Sequence, residues 1–113
     1  MATRSFQYPA VDQKLLTEIV RRIRAVGDPQ RIVIFGSRGR GDARPDSDID
    51  LLIIEESDLP RYKRSARYRR VLIGLFPAKD IVVWTPDEVR AWSAVKNAFV
   101  SVALREGRVL HER

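Results

Sequence analysis

An α/β (α+β) fold, a single small domain whose mixed β-sheet is flanked by helices, is predicted by three observations. Short β-branched runs at 31–35, 47–54 and 80–84 are each bounded by turn residues, as buried strands are. Segments with apolar residues at helical spacing lie before, between and after them. The chain has 113 residues, 44% of them hydrophobic, enough for one compact domain and not for two, so residues 1–113 are expected to form one domain.

Taken in order, Val11, Leu15, Leu16, Ile19, Val20, Ile23 and Val26 recur at helical spacing until Gly27, with Asp28 and Pro29 as breakers beyond. The run Arg31-Ile-Val-Ile-Phe35 is a strand closed by Gly36 and Ser37. Ser47-Asp-Ile-Asp-Leu-Leu-Ile-Ile54 reads as a second strand with an unusually polar start. From Leu59 to Phe76 one helix is predicted, with Tyr62, Ala66, Ile73 and Phe76 on its apolar stripe and Pro77 ending it. Asp80-Ile-Val-Val-Trp84 is a third strand. Thr85-Pro86-Asp87-Glu88 then supplies an N-cap, a proline at the first helical position and a capping-box acid for a helix through Val95. Residues 97–106 follow a helical pattern closed by Gly107, and Arg108-Val-Leu-His111 forms a short terminal extension. Trp84 and Trp92 are expected as core or interface anchors, and His111 as a surface residue.

Composition removes whole classes of function. There is no cysteine, so disulfide frameworks, thiolate metal sites and cysteine nucleophiles are excluded, and one histidine cannot build a histidine-rich metal site. Lys and Arg total 21 against 15 Asp and Glu, a formal charge of +6 that favours phosphate-bearing ligands or acidic partners. No stretch approaches the ~20 apolar residues of a membrane span. The start MATRSFQYPA lacks the apolar centre of a signal peptide, and a cytoplasmic location is expected.

The chemistry is concentrated in two short stretches. Asp48 and Asp50 stand one residue apart on a predicted strand, so both carboxylates project from one side while Ile49 and Leu51 face the core. Such like charges repel, and a divalent cation relieves the repulsion; hard carboxylate oxygens suit Mg²⁺. Asp80 opens another strand, and three carboxylates converge if the two strands are neighbours. Acids at strand starts are commonly plain turn residues. Here, however, Gly36-Ser37-Arg38-Gly39-Arg40-Gly41 lies just upstream. Glycines admit close approach of a ligand, Ser37 can cap the following turn and offer a hydroxyl, and exposed amides at a helix start bind phosphate.

Gly36-Ser37-Arg38-Gly39-Arg40-Gly41, the spacing of ten from Ser37 to Ser47, and Ser47-Asp48-Ile49-Asp50-Leu51 resemble the signature of the minimal nucleotidyltransferases. These belong to the DNA polymerase β-like nucleotidyltransferase superfamily. The strand before the motif, the strand from Asp80 and the closing Glu106-Gly107-Arg108-Val109-Leu110 are similar to that family too. Gly39 departs from the family's usual alanine, an exchange expected to spare the backbone path and loosen the turn, and His111 replaces its usual tyrosine. The resemblance implies that Gly36 and Ser37 hold the β- and γ-phosphates of a nucleoside triphosphate, with Arg38 and Arg40 close by to meet phosphate charge. It implies that Asp48, Asp50 and Asp80 form the catalytic set and bind two Mg²⁺ ions, with ATP as donor. Asp80 is placed to accept the proton of the attacking hydroxyl.

Seven basic residues and no acid lie between Arg61 and Lys79, with Tyr62 and Tyr68 interleaved. The run is read as a solvated helix face, as a docking face for an acidic partner through Arg61, Lys63, Arg64, Arg67 and Arg70, or as a track for nucleic acid. Protein docking is favoured over nucleic acid. Because 113 residues leave no room for an acceptor pocket, the acceptor hydroxyl is expected from a partner. The resemblance implies an all-helical HEPN-type toxin that receives AMP on a tyrosine, this chain being its antitoxin. The competing expectations are a non-catalytic antitoxin acting by occlusion and an RNA-binding module.

Overall fold

Asp12 starts the first helix, its carboxylate accepting the Leu15 N–H at 3.0 Å, and Gly27 closes it by donating its own N–H to the Ile23 carbonyl. This helix, α1 (Gln13–Val26), buries Leu16, Ile19 and Ile23 along one stripe. The computed structural model describes residues 10–113; the nine before Ala10, which make up nearly all of the start read above for a leader, lie outside them. Then come β1 (Arg31–Phe35), α2 (Gly36–Arg40), β2 (Ile49–Ile54), α3 (Arg61–Arg64), α4 (Ala66–Val71) and β3 (Lys79–Trp84). α5 (Pro86–Ser93), α6 (Phe99–Glu106) and β4 (Arg108–Glu112) complete the order. No helix among the described residues is long and apolar enough to cross a membrane.

The strands form one mixed sheet in the order β3-β2-β1-β4. β2 and β3 run parallel, while β1 is antiparallel to both its neighbours. Side chains alternate between faces, and both faces are covered, which is why the strand runs are continuously apolar. Ile32, Ile34, Ile49, Leu51, Ile53, Ile81 and Val83 pack on Leu16, Ile19, Ile23, Tyr68 and Leu72. Val33, Leu52, Ile54 and Trp84 pack on Val100 and Ala103 of α6. Alternation therefore puts Asp50 and Asp80 on the α6 face.

The mixed sheet with flanking helices agrees with the expectation, but several elements differ. The terminal extension is a fourth strand, and His111 is half-buried opposite Ile32. β2 begins at Ile49, so Asp48 is the last residue of the preceding loop. The long helix at 59–76 is two short helices meeting at Ser65, and its predicted stripe is inverted: Tyr62, Ile73 and Phe76 are exposed, whereas Arg64, Tyr68 and Leu72, four residues apart, face inward. Trp84 is buried as expected; Trp92 is half exposed.

The predicted basic docking face is also corrected. Arg64 is buried and bonds Glu88 at 2.6 Å and the Val83 carbonyl at 3.2 Å. Arg61 lies over the Trp84 ring and bonds Glu88. Arg67 reaches both oxygens of the buried Glu55, which also accepts the Tyr68 hydroxyl at 2.6 Å. A buried carboxylate must be paired, and these arginines do the pairing. Three of the five basic residues assigned to a partner thus hold the domain itself together.

Candidate active site

Strand register builds the site. Asp50 pairs with Asp80 across the parallel β2/β3 boundary and with Phe35 across the antiparallel β2/β1 boundary. Paired residues share a face, so Asp80, Asp50 and Phe35 form one row across the end of the sheet, with neighbouring strands ~4.8 Å apart. Asp48 and Asp80 are exposed and Asp50 is half-buried.

Gly36 follows Phe35 with φ of +65°, a conformation that disfavours side chains, and a Cβ there would lie 2.4 Å from Asp50 Oδ2. The missing side chain is what allows the turn to close over the carboxylate. Burial raises the pKa of Asp50, and the charges of Asp80 and Asp48 raise it further, against a lowering by Arg40. The charges of Asp80 and Asp48 are thus both felt at Asp50.

Ser37 lies inside α2 and is not its cap; Phe35 holds the cap position without a side-chain bond, and the Ser37 carbonyl accepts from the N–H groups of Gly41 and Asp42. Arg38 binds loop carbonyls, Ser47 O at 2.9 Å and Pro45 O at 3.3 Å, and so anchors the loop that delivers Asp48. Its Nε is buried without a protein partner. Arg40 pairs with Asp42 at 3.2 Å and more loosely with Glu106 at 3.6 Å. The Glu106 partner was missed in the sequence because α2 meets α6 only through the fold.

Gly39 corrects the expected loosening of the turn. A Cβ there would lie 2.7 Å from the Ile34 carbonyl oxygen and 3.2 Å from the Gly107 Cα. Glycine makes this junction tighter, because α2 can nest against β1 and the start of β4.

The donor set fits a divalent cation: three carboxylates, no soft ligand, and mutual repulsion at Asp50 that a cation would relieve. Among the described residues no three His, Cys, Asp or Glu side chains already form a cage for an ion.

The mixed sheet thus places Asp50 and Asp80 in register on one face, beside the Gly36-Ser37 turn. The nucleotidyltransferase domain family matches residues 13–105, and the chain belongs to that family. A candidate protein adenylyltransferase of Methanocaldococcus jannaschii is 28% identical over 107 residues, covering 88% of this chain and 98% of the relative. A candidate nucleotidyltransferase from Sulfolobus solfataricus superposes with a TM-score of 0.64 at 24% identity, over 88% of this chain and 79% of that one. A toxin-antitoxin structure with AMP-PNP gives 0.62 at 21% identity, over 87% and 73%. A Shewanella oneidensis complex of a tri-AMPylated HEPN toxin with its MNT antitoxin gives 0.57 at 18% identity, over 89% and 72%. The fold is thus that of nucleotidyltransferases, including antitoxins of the MNT type.

Proposed function

We propose that this domain transfers AMP from ATP to a hydroxyl of a helical HEPN-type protein and serves as the antitoxin of that pair. The observation carrying the proposal is the Asp50–Asp80 register beside a Gly36 whose missing Cβ leaves room for the Asp50 carboxylate. Gly36 and Ser37 receive the β- and γ-phosphates, and Asp48, Asp50 and Asp80 hold the divalent ions. Bound Mg²⁺ would neutralise the leaving pyrophosphate and activate the acceptor oxygen. The hydroxyl oxygen forms a bond to the α-phosphorus, the bond from that phosphorus to the bridging oxygen breaks, pyrophosphate leaves, and Asp80 takes the hydroxyl proton. Arg38 keeps Asp48 at the site through Ser47.

The adenylyltransferase relative and the toxin-antitoxin neighbours support AMP as the group and a HEPN protein as acceptor. An occlusion-only role leaves three crowded carboxylates without a purpose. RNA binding through residues 61–70 is disfavoured by the internal pairing of Arg64 and Arg67. Asp50→Asn is expected to abolish transfer while leaving the melting temperature equal or higher, since it removes a repelling charge. A transfer assay beside a melting curve checks this, and full activity in the variant would dismiss the assigned site.

A further inference from the structure

Next to the carboxylate row lies an apolar slot of about 320 Å³, lined by Phe35, Gly36, Phe99, Val102 and Ala103, with Arg40 and Glu106 at its rim. Ligand pockets begin at about this volume and combine apolar walls with a few polar groups. Its walls are built, not incidental. The Phe35 and Phe99 rings meet edge to face at 5.2 Å, and Phe99 also leans on Trp84 at 6.0 Å. Phe99 is nevertheless 43% exposed, an aromatic surface left without a cover.

Two features tie the slot to the transfer site. Gly36 belongs to both, since it lines the slot and faces Asp50. Phe35 is the register partner of Asp50, one strand spacing of ~4.8 Å away. A ligand whose phosphates lie at Gly36 and Ser37 can extend into this slot, since Gly36 lines both. By contrast, the cavity at Arg31, Ile54, Val89 and Arg113 is at the far end of β2 from Asp50, about 13 Å along the strand, and shares no residue with the Gly36 turn.

We infer that this slot takes the nucleobase of the donor triphosphate, stacked on Phe99 and packed edge-on against Phe35, with its polar edge toward Arg40 and Glu106. The inference rests on the proposed function and adds the residues that bind the base. A base supplies a flat π-face for the aromatic walls and hydrogen-bonding edges for the rim, and stacking is tolerant of base identity. Arg40 and Glu106, only 3.6 Å apart in a loose pair, can each turn to a donor or acceptor on that edge.

The test compares magnesium-bound ATP with magnesium-bound tripolyphosphate, which lacks ribose and base, by calorimetric titration of the full chain. Wild type is expected to bind ATP at least tenfold more tightly than tripolyphosphate. Phe99→Ala, which removes the stacking surface, and Val102→Phe, which fills the slot, should each lower ATP affinity about tenfold, the scale of one base stacking contact, and leave tripolyphosphate affinity unchanged. Parallel loss of both ligands would make Phe99 a structural support and overturn the inference, as would an unaltered ratio in both variants. Equal wild-type affinity for the two ligands also overturns it while leaving the proposed function standing. If wild type binds neither ligand, both fall. If ATP affinity holds in both variants and only transfer to the partner is lost, the slot belongs to the acceptor and the inference is wrong.

Discussion

Gly36 and Asp50 were selected from the sequence for separate reasons, one as a phosphate-approach glycine and one as half of an acidic pair, and they prove to be in contact. The positive φ of Gly36 and the 2.4 Å from its virtual Cβ to Asp50 Oδ2 make any side chain doubly unfavourable. Gly36→Ala should cost about 1–2 kcal/mol from the left-handed backbone alone and displace the carboxylate as well. Urea denaturation reads the first effect. The second appears as a loss of metal-dependent triphosphate binding greater than the loss of stability explains. Alternation reads Asp50 onto its face, but Asp48 lies in the loop before β2 rather than on the strand, and Arg38 could not be read at all: its bonds to Pro45 and Ser47 exist only because the loop folds back over α2.

The short helices around the sheet depend on long-range contacts, and for that reason the sequence misleads there. α3 and α4 lack side-chain caps and the predicted apolar stripe; Arg64, Tyr68 and Leu72 anchor them instead. An arginine reads as surface until its partner is known, and Glu88 lies on α5, in a capping box with Thr85. Burial raises the pKa of Glu88, but bonds from Arg64, the Thr85 N–H and Arg61 outweigh it and bring the value from 4.5 to about 2. A depressed carboxylate contributes stability that is complete above the unfolded value near 4.5 and fades as pH falls toward 2. Glu88→Gln should therefore destabilise the domain by about 2 kcal/mol at neutral pH, with the difference from wild type closing between pH ~5 and ~2. Melting curves across that range check it. At the α2 junction, Gly39→Ala should also destabilise, by about 1–2 kcal/mol, because the clash with backbone outweighs the gain in helix propensity. Chemical denaturation measures this, and a stabilised variant would show that α2 can shift away from Ile34 and Gly107.

The architecture was legible where the signal is local. Three β-branched runs, a helix ended by Gly27 and the Thr85–Glu88 capping box each carry their own signals, and all occur, although β2 starts two residues later than read, β3 one residue earlier, and α5 ends at Ser93 rather than Val95. β4 was harder to read because Arg108–Glu112 is short and polar, and becomes a strand only by pairing with β1. The slot was not legible at all, because Phe35 and Phe99 meet across the fold. The parallel neighbours β2 and β3 turn a sequence pattern into a site, since register alone places Asp50 beside Asp80. The proposed transfer would move the α-phosphate and leave the γ-phosphate in pyrophosphate. The chain should therefore be incubated with Mg²⁺, a helical HEPN-type protein and ATP carrying label at either the α- or the γ-phosphate. Label on the HEPN protein from α-labelled ATP alone, absent with Asp50→Asn, is the predicted result. Label from the γ-position, or equal α-labelling with Asp50→Asn, would contradict nucleotidyl transfer at this row of carboxylates.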